Sequence, residues 1–438
     1  VERVGAACDG GGTEPFLSGA GAAARSLAGR AAELDAADPL RSSRDAFVLD
    51  DARVYLDGNS LGALPKAVSA RLRDVVEREW GELGIRSWSE SGWWSAPERI
   101  GDRIAPLLGA AAGQVVVADS TSVNVFKAVV AAVRMAGEDA VRGAGEDAVR
   151  GAGEERDEIL VDASTFPSDG YVARSAARLT GHRVVPVEPG EVPAALSGRT
   201  AAVLLNHVDF RTGRLHDLPG LTAAVHEAGA YAVWDLCHSA GALPVGLDAH
   251  GVDLAVGCTY KFLNGGPGSP AFLYVREEHQ RRFDSPLPGW NSHVEPFGME
   301  PEYEAAVGAA RGRVGTPDIL SMLALESALD VWDGVPVEAV REKSLALTDF
   351  FLECVAAYVP EGAVESVTPA AHAERGSQIA LRCEDAGKVM ERLIARGVVG
   401  DYRPPDVLRF GFTPLYVGFA DAERAAAVLA DAIGARPA

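Results

Sequence analysis

Asp235 and Lys261 carry the first chemistry legible in this chain. They lie in WDLCHSAGALPVGLDAHGVDLAVGCTYKFLNGGPGSP, residues 234–270. Asp235 ends one apolar run, and Lys261 follows the next, flanked by Tyr260 and the glycine-rich NGGPG. In an open α/β sheet, ligands bind beyond the carboxyl ends of the strands. A carboxylate and an amine on neighbouring strand ends suit pyridoxal 5′-phosphate (PLP): the lysine forms the Schiff base and the aspartate pairs with the protonated pyridine nitrogen. That pairing keeps the ring cationic, which lets it accept electrons from a carbanion. Alone, the two residues would read as a surface lysine and a strand-end cap. With His238, Tyr260 and GGPG in the same short window, cofactor binding is the stronger reading. A lysine amine is a poor base at neutral pH because it is already protonated. Beside a cationic cofactor and partly out of water it loses that proton more readily, so Lys261 is the candidate to take the α-proton of an amino acid.

The phosphate needs donors. ADSTSVNVFKAVVAAV (118–133) puts Ser120, Thr121 and Ser122 directly before an apolar helix. Hydroxyls and free N–H groups at a helix N-terminus make an anion site. Standing alone this is an ordinary N-cap, but beside a PLP lysine it reads as the phosphate loop. FPSDGY (166–171) offers Phe166 to stack on the ring face and Asp169 as a polar contact.

The elements that must hold these residues follow from the apolar patterning. The runs 158–163, 182–188, 201–208, 230–236, 253–259 and 270–275 are apolar, with amphipathic helical stretches such as Leu221–Ala228 between several of them. This predicts an α/β fold with a mostly parallel sheet buried on both faces. Upstream, the patterning predicts a disordered first 20 residues, a helix around Ser26–Leu34, short strands within 47–62, helices over 66–84 and 96–108, a strand over 114–120 and a helix over 122–135. Residues 283–318 read as irregular. A helix over 319–334 then leads into an α+β unit: helix 337–358, strand 377–383, helix 385–396, strand 407–413 and helix 419–434. The octapeptide AGEDAVRG at 136–143 recurs at 144–151 and reads as a solvated loop, since surface loops lengthen at little cost. The expected organisation is a flexible segment with the start of a small domain over 1–44, an arm contributing to that domain over 45–95, a large domain over 96–325 and a small α+β domain over 326–438.

Composition narrows the partners. With 438 residues, 47% hydrophobic and 24% charged, the chain has material for a large core, and wholesale disorder is excluded. Against 41 Lys+Arg stand 62 Asp+Glu, a net charge of −21 that repels nucleic-acid backbones and anionic lipid. Cysteines 8, 237, 258, 354 and 383 are odd in number and none pairs at a metal-ligand spacing, so they read as reduced thiols of a cytoplasmic protein without a metal site. The N-terminal stretch has no continuous apolar segment of the signal-peptide kind, and no run of 18 apolar residues predicts a membrane span.

Taken together, DGNSLG (57–62), RSW (86–88), GWW (92–94), STSVN (120–124), FPSD (166–169), DLCHSAG (235–241), TYKFLNGGPG (259–268), GW (289–290), GTPDILSM (315–322) and VLRFGFTPLY (407–416) resemble the kynureninases. These are PLP hydrolases of fold type I, in the class V aminotransferase group. The resemblance runs from about Ala46 to the C-terminus, interrupted at 136–157. It implies a PLP-dependent transferase fold of type I, with a large seven-stranded, mostly parallel sheet and a small α+β domain. It implies hydrolysis of L-kynurenine, or its 3-hydroxy form, to L-alanine and an anthranilate in tryptophan catabolism. Residue by residue it implies Lys261 as the Schiff-base lysine and Asp235 as partner of the ring nitrogen. His238 would lie near the ring, Thr121 and Ser122 at the phosphate, Phe166 on the ring face and Asp169 beside it. Tyr260 would reach the phosphate and relay a proton. Trp290 and Thr316 would come from the partner subunit of a homodimer with composite sites. Ser60, Trp88 and Arg409 would bind the substrate, Arg409 taking the α-carboxylate through the fork that lysine lacks. Asn206 stands where the family pattern has a small hydroxyl residue, and the duplication at 136–151 is absent from that pattern. Trp88 and Thr316, where other members carry His and Asn, imply preference for the unsubstituted aryl ring.

Other candidates carry less. His207, His216, His226 and His250 read as solvated or capping residues. Trp80, Trp88, Trp93 and Trp94 read as core or interface, and Cys237 and Cys258 as buried small hydrophobes. A cysteine desulfurase or lyase of the same fold would want a nucleophilic thiol on a mobile loop near the C-terminal unit. Cys354 sits in an apolar helical pattern and Cys383 in a strand, so neither fits. A non-catalytic scaffold is disfavoured because Lys261, Asp235 and Arg409 are all present.

Overall fold

The computed structural model describes residues 17–144 and 156–434. The chain opens with helix α1 (Leu17–Ala37), strand β1 (Val54–Tyr55) and helices α2 (Lys66–Asp74), α3 (Ser87–Glu90) and α4 (Ala96–Ile104). The large sheet takes β2 (Val115–Val117), β3 (Glu158–Asp162), β4 (Arg183–Val187), β5 (Thr200–Asn206), β6 (Tyr231–Asp235), β7 (Leu254–Gly257) and β8 (Phe272–Val275). Helices α5 (Thr121–Ala144), α6 (Pro167–Thr180), α7 (Val192–Ala195) and α8 (Leu218–Glu227) connect them.

Strand order is β2-β8-β7-β6-β5-β3-β4, with β8 antiparallel to both neighbours and every other pairing parallel. The strands are apolar throughout because both faces are covered. Ala202 and Leu204 of β5 enter a core built with Val125, Val129 and Ala132 of α5 and Ala173 of α6. Val203 and Leu205 point the other way, into a core with Ile100 and Ile104 of α4 and Leu221 and Val225 of α8. Each such side chain contributes about 1.5–3 kcal/mol of burial, so the alternation fixes the strand register firmly. The chain steps outward from β3 to β4 and then returns to lay β5 on the other side of β3. Loops after β3 and β5 therefore diverge at one point, which is where such sheets bind ligands.

After α9 (Ile319–Ala328) and α10 (Val337–Tyr358) come β9 (Glu365–Ser366), β10 (Gln378–Arg382), α11 (Ala386–Ala395), β11 (Val398–Val399), β12 (Asp401–Arg403), β13 (Val407–Gly411) and α12 (Phe419–Gly434). Four of these strands form an antiparallel sheet in the order β12-β13-β10-β9, with Asp401 opposite Arg409. β1 pairs with β11, and α1 packs on α10 and α12, so the N-terminal segment is stitched onto the C-terminal unit.

Several local expectations give way. The helix expected near Ser26 begins at Leu17; the first 16 residues of the segment expected to be disordered lie outside the described residues. Residues 47–62 contain only β1 as a named strand. The helix expected over 66–84 changes at Val75 into wider π turns through Leu83. Buried Glu79 sits inside those turns, accepting from Arg71 (2.7 Å), Arg78 (3.1 Å) and the Trp93 indole (2.6 Å), and that carboxylate holds the backbone to its looser winding. The first AGEDAVRG copy is helical, not a loop. It extends α5 to Ala144, with Asp139 gripped by Tyr231 and Arg282 and Glu138 by Arg282. The second copy from 145 lies outside the described residues.

Candidate active site

Strands of the large sheet end on a common edge and deliver its polar side chains. β3 leads into the first turn of α6, which carries Asp169; β5 ends at Asn206; β6 ends at Asp235; the loop after β7 carries Tyr260 and Lys261. Parallel pairing sets Asn206 level with Asp235.

Lys261 Nζ lies 3.0 Å from His238 Nε2. Burial, reinforced by the lysine charge, holds the His238 imidazole well below its ordinary range, so it is neutral. Facing an ammonium, Nε2 is the accepting nitrogen, and the proton belongs on Nδ1, which is buried without a protein partner. Asp235 Oδ1 accepts from the Cys237 N–H at 2.6 Å. Asp169 is buried close by, and desolvation followed by the Asp235 charge pushes its carboxyl well above the usual range. Asn206 donates to Asp169 at 3.4 Å, and the Thr165 hydroxyl reaches both Asn206 and Asp169. Buried beside that charge, the Asp169 carboxyl favours its protonated form. The polar contact assigned to Asp169 is therefore an acid pair with Asp235, and Asn206 is its support.

At the end of β2, Asp119 turns the chain with φ of 54° into α5. The Thr121 and Ser122 N–H groups lie in the first turn, where a helix supplies no acceptor. Ser120 Oγ caps only at 3.4 Å, from Val123 N. Thr121 Oγ1 stands 3.7 Å from Cys237 Sγ, which brings this loop over the end of β6. Ser120, Thr121, Tyr260 and Thr316 line one cavity of about 410 Å³. Thr316 thus reaches its own chain's Ser120–Thr121 segment, whereas the resemblance assigns it to the partner's site. Lys261 is not on that cavity's wall; its ammonium lies 5.9 Å from the Tyr260 ring centroid. The DGNSLG turn closes over the lysine segment: Gly62 N–H donates to Tyr260 O at 2.8 Å, and a Cβ on Gly62 would stand 2.3 Å from Lys261 O. Only glycine permits that approach.

Arg409 is not the unpaired guanidinium that its apolar strand suggests. It is 1% exposed. Nε donates to Asp401 Oδ1 at 2.9 Å and Nη2 to Asp401 Oδ2, Nη2 also reaches Ser60 Oγ at 2.8 Å, and Nη1 donates to Phe210 O at 2.5 Å. Burial draws its pKa down while Asp401 draws it up. Asp57 stands in the same cluster, raised to about 6 by burial and by the Asp401 charge. Phe210 also packs edge-on against Phe166 (5.2 Å), so the arginine cluster adjoins the residue assigned to the ring face.

Trp88 and Trp290 pack on each other at 6.3 Å and share an aromatic cluster with Trp94 and Phe297, over which Arg313 sits 5.1 Å from Trp94. Trp80 is exposed rather than core. Two histidines depart from the solvated reading. His207 is buried, its pKa lowered to about 3 by desolvation. His226 grips Asp253 at 2.8 Å, with His279 on the other carboxylate oxygen at 2.8 Å, and its pKa is raised by that bond. Sequence reasoning missed Asp401 and Phe210. A signal existed for Asp401: DYR and VLRF flank Pro404–Pro405, and a hairpin there sets Asp401 opposite Arg409.

The kynureninase C-terminal domain family model matches residues 340–429. A kynureninase of Deinococcus radiodurans is 49% identical over 403 residues, covering 91% of this chain and 94% of the relative. One from Burkholderia pseudomallei is 46% identical, covering 91% and 93%. Among solved structures, the cysteine desulfurase CsdA of Escherichia coli aligns with a TM-score of 0.72 at 19% identity, covering 89% of this chain and 97% of that one. A C-DES variant with glycine covalently linked to its PLP cofactor aligns at 0.74 and 16%, covering 89% and 99%. Those two likenesses speak to the fold.

Proposed function

The chain belongs to the kynureninase family, and from that premise we propose how its own residues carry the hydrolysis. The reaction is cleavage of kynurenine by water: hydroxyl goes to the ring-side carbonyl carbon to give anthranilate, and hydrogen goes to Cβ to give the methyl of L-alanine. PLP, when bound, supplies the imine link to the substrate amine and an electron-accepting ring. The residues present fit it. The acid pair Asp235–Asp169 holds buried negative charge that a pyridinium would neutralise, and the N–H groups opening α5 suit a phosphate. Phe166, 42% exposed, has an open face for stacking.

The observation that carries the reading is the Lys261–His238 contact at 3.0 Å, beside that acid pair. Lys261 is the covalent anchor and, once released, moves the proton at the substrate Cα. His238, neutral with its proton on Nδ1, holds the Lys261 amine through Nε2. Tyr260 is the proton relay towards the phosphate side. Arg409 and Ser60 receive the substrate α-carboxylate; with Asp401 holding the Nε edge, the second Nη1 proton is the donor left for it. Trp88 and Thr316 border the aryl ring, with Trp290 beside Trp88, in a homodimer whose sites draw on both subunits. Exposed Phe297, stacked in that aromatic cluster, supports an assembly that covers it. A light-scattering mass near that of one chain for active protein would refute it. Among the described residues no helix is long and apolar enough to cross a membrane; we place the enzyme in the cytoplasm, acting in tryptophan catabolism.

A desulfurase would need a reachable thiol. Cys354 is wholly buried with its pKa raised to about 12, and Cys383 is buried with its pKa raised to about 11. Incubation with L-kynurenine should release anthranilate and L-alanine in equal amounts; sulfide from cysteine with no anthranilate would overturn the reading.

A further inference from the structure

Lys127 has no part in the chemistry above, yet its side chain is 0% exposed. It lies on α5, one and a half turns beyond residues 120–122, where its helical neighbours are Val123, Val130 and Ala131, with Asn124 the polar exception. Its ammonium donates to Asp119 Oδ2 at 2.7 Å and to Gly312 O at 2.6 Å. Asp119 is the residue directly before Ser120, and it holds the left-handed φ of 54°. Its carbonyl accepts from Ala271 N at 2.9 Å, so both ends of the turn are fixed. Gly312 opens the other segment. A Cβ there would stand 2.6 Å from the Leu273 Cδ2 methyl, so a larger residue would have to displace that buried side chain. Arg313 follows, buried on Glu98 at 2.8 Å, and Asn291 holds Val314 O and Gly315 O at 3.2 and 3.1 Å. Thr316 then lines the cavity shared with Ser120 and Thr121.

Burying an ammonium is costly, and apolar side chains of similar size often do as well for stability. Its two partners here belong to two separate site segments. We propose that Lys127 is a positioning residue that locks the phosphate loop, through Asp119, to the Gly312–Thr316 segment, so that retention of the cofactor phosphate and fit of the substrate ring depend on one buried ammonium. The proposal rests on the reading of residues 120–122 as the phosphate loop. Asp119 alone would set an anionic carboxylate beside a phosphate; Lys127 neutralises it and fixes its direction.

Apo-protein titrated with PLP and with pyridoxal, which has the same ring and aldehyde but no phosphate, separates the cases. Lys127→Met should weaken PLP binding about 10- to 100-fold, the scale of one or two misdirected charge-assisted donors, and leave pyridoxal binding within about threefold, below half of one such bond. At saturating PLP, the kcat/KM ratio between kynurenine and 3-hydroxykynurenine should also shift. Asp119→Asn keeps the backbone preference and most of the shape, removes the charge, and should move PLP affinity in the same direction; it decides the question if Lys127→Met does not fold. Equal losses for PLP and pyridoxal, or no loss for either, would overturn the positioning role. Wild-type protein that binds pyridoxal as tightly as PLP would instead overturn the phosphate-loop reading beneath it.

Discussion

Replacing Arg409 by lysine tests the substrate site at its most constrained point. The guanidinium makes four hydrogen bonds: two to Asp401, one to Ser60 and one to Phe210 O. An ammonium has three N–H donors at a single point, and from the end of a shorter stem it can satisfy about two of those acceptors. Hydrogen bonds to charged groups contribute about 1.5–3 kcal/mol each. The two lost ones include the fork on Asp401, whose side chain is 19% exposed and recovers part of its solvation from water. A stability loss of about 2–4 kcal/mol is therefore the expected scale. The substrate carboxylate loses more selectively, because the donor left for it on Nη1 vanishes, while Ser60 keeps its hydrogen bond to Asp401 Oδ2 at 2.7 Å. One such bond corresponds to about a 10- to 100-fold rise in KM. The rise should appear with the cofactor absorbance unchanged, since no hydrogen bond joins Arg409 to Lys261, His238 or Asp235 among the described residues. Anthranilate fluorescence gives the kinetics and urea titration gives the stability. A variant that is destabilised but keeps KM within about threefold, too little for one such bond, would show Arg409 to be a structural ion pair with Asp401 and nothing more.

Three further outcomes follow from the same geometry. Lys261→Ala should hold PLP only as a loose, non-covalent ligand and lose turnover, and near-normal activity would end the assignment of the lysine. Unsubstituted kynurenine should be preferred over the 3-hydroxy form by about 10- to 100-fold in kcat/KM, because Trp88 offers one N–H and Thr316 a short hydroxyl, and a ring hydroxyl left without a partner costs about 1–3 kcal/mol; a clear preference for the 3-hydroxy substrate would refute it. His207, neutral in the fold until about pH 3, takes up its proton near pH 6.5 when unfolded, so stability is intact at pH 7 and is lost as pH falls below 6.5. The loss is about 1.4 kcal/mol by pH 5.5, and His207→Phe should remove that slope in urea titrations; a variant with the wild-type slope would show that other groups set it.

The sheet was legible because its strands are buried on both faces. Runs such as TAAVLLN and YAVWD have no polar residue to turn outward, so their spacing alone announced a parallel sheet, and the chemistry followed at the strand ends. The placement of Lys261, Asp235 and Thr121 beside the strand ends was readable for that reason. What escaped depends on tertiary partners. Nothing in VVEREWGEL shows that Glu79 turns inward to meet Trp93, and without that contact the stretch reads as plain helix. The acid pair escaped because Asp169 and Asp235 are 66 residues apart and meet only once β3, β5 and β6 align. Lys127 left a faint trace, a charge inside NVFKAVVAAV whose helical neighbours are Val123, Val130 and Ala131, with Asn124 as the one polar exception. A three-residue strand such as β12 has too few positions to show any period, so the hairpin about Pro404–Pro405 was the one trace of Asp401 standing opposite Arg409.

That Asp401 occupies the Nε edge of Arg409 changes how substrate selection must work. A free guanidinium would bind any carboxylate nearby, and its charge would be costly so deep in the protein. With Asp401 paired in register and shared with Arg403, the Arg409 charge is offset in part and the geometry of the remaining N–H is fixed before substrate arrives. On the proposed assignment of Arg409, carboxylate affinity is modest and directional, and discrimination falls to the residues proposed for the aryl ring, Trp88, Trp290 and Thr316. The fold shared with cysteine desulfurases supplies the sheet edge and little else. Those chemistries need a thiol brought to the substrate. Here the thiols of Cys354 and Cys383 are sealed in the C-terminal unit, so Cys354→Ala and Cys383→Ala should leave anthranilate formation unchanged and cost only packing. A loss of turnover in either variant, with the fold intact, would place a cysteine in the reaction and refute a division of labour in which Arg409 anchors, Lys261 moves the proton and the aromatic wall selects the ring.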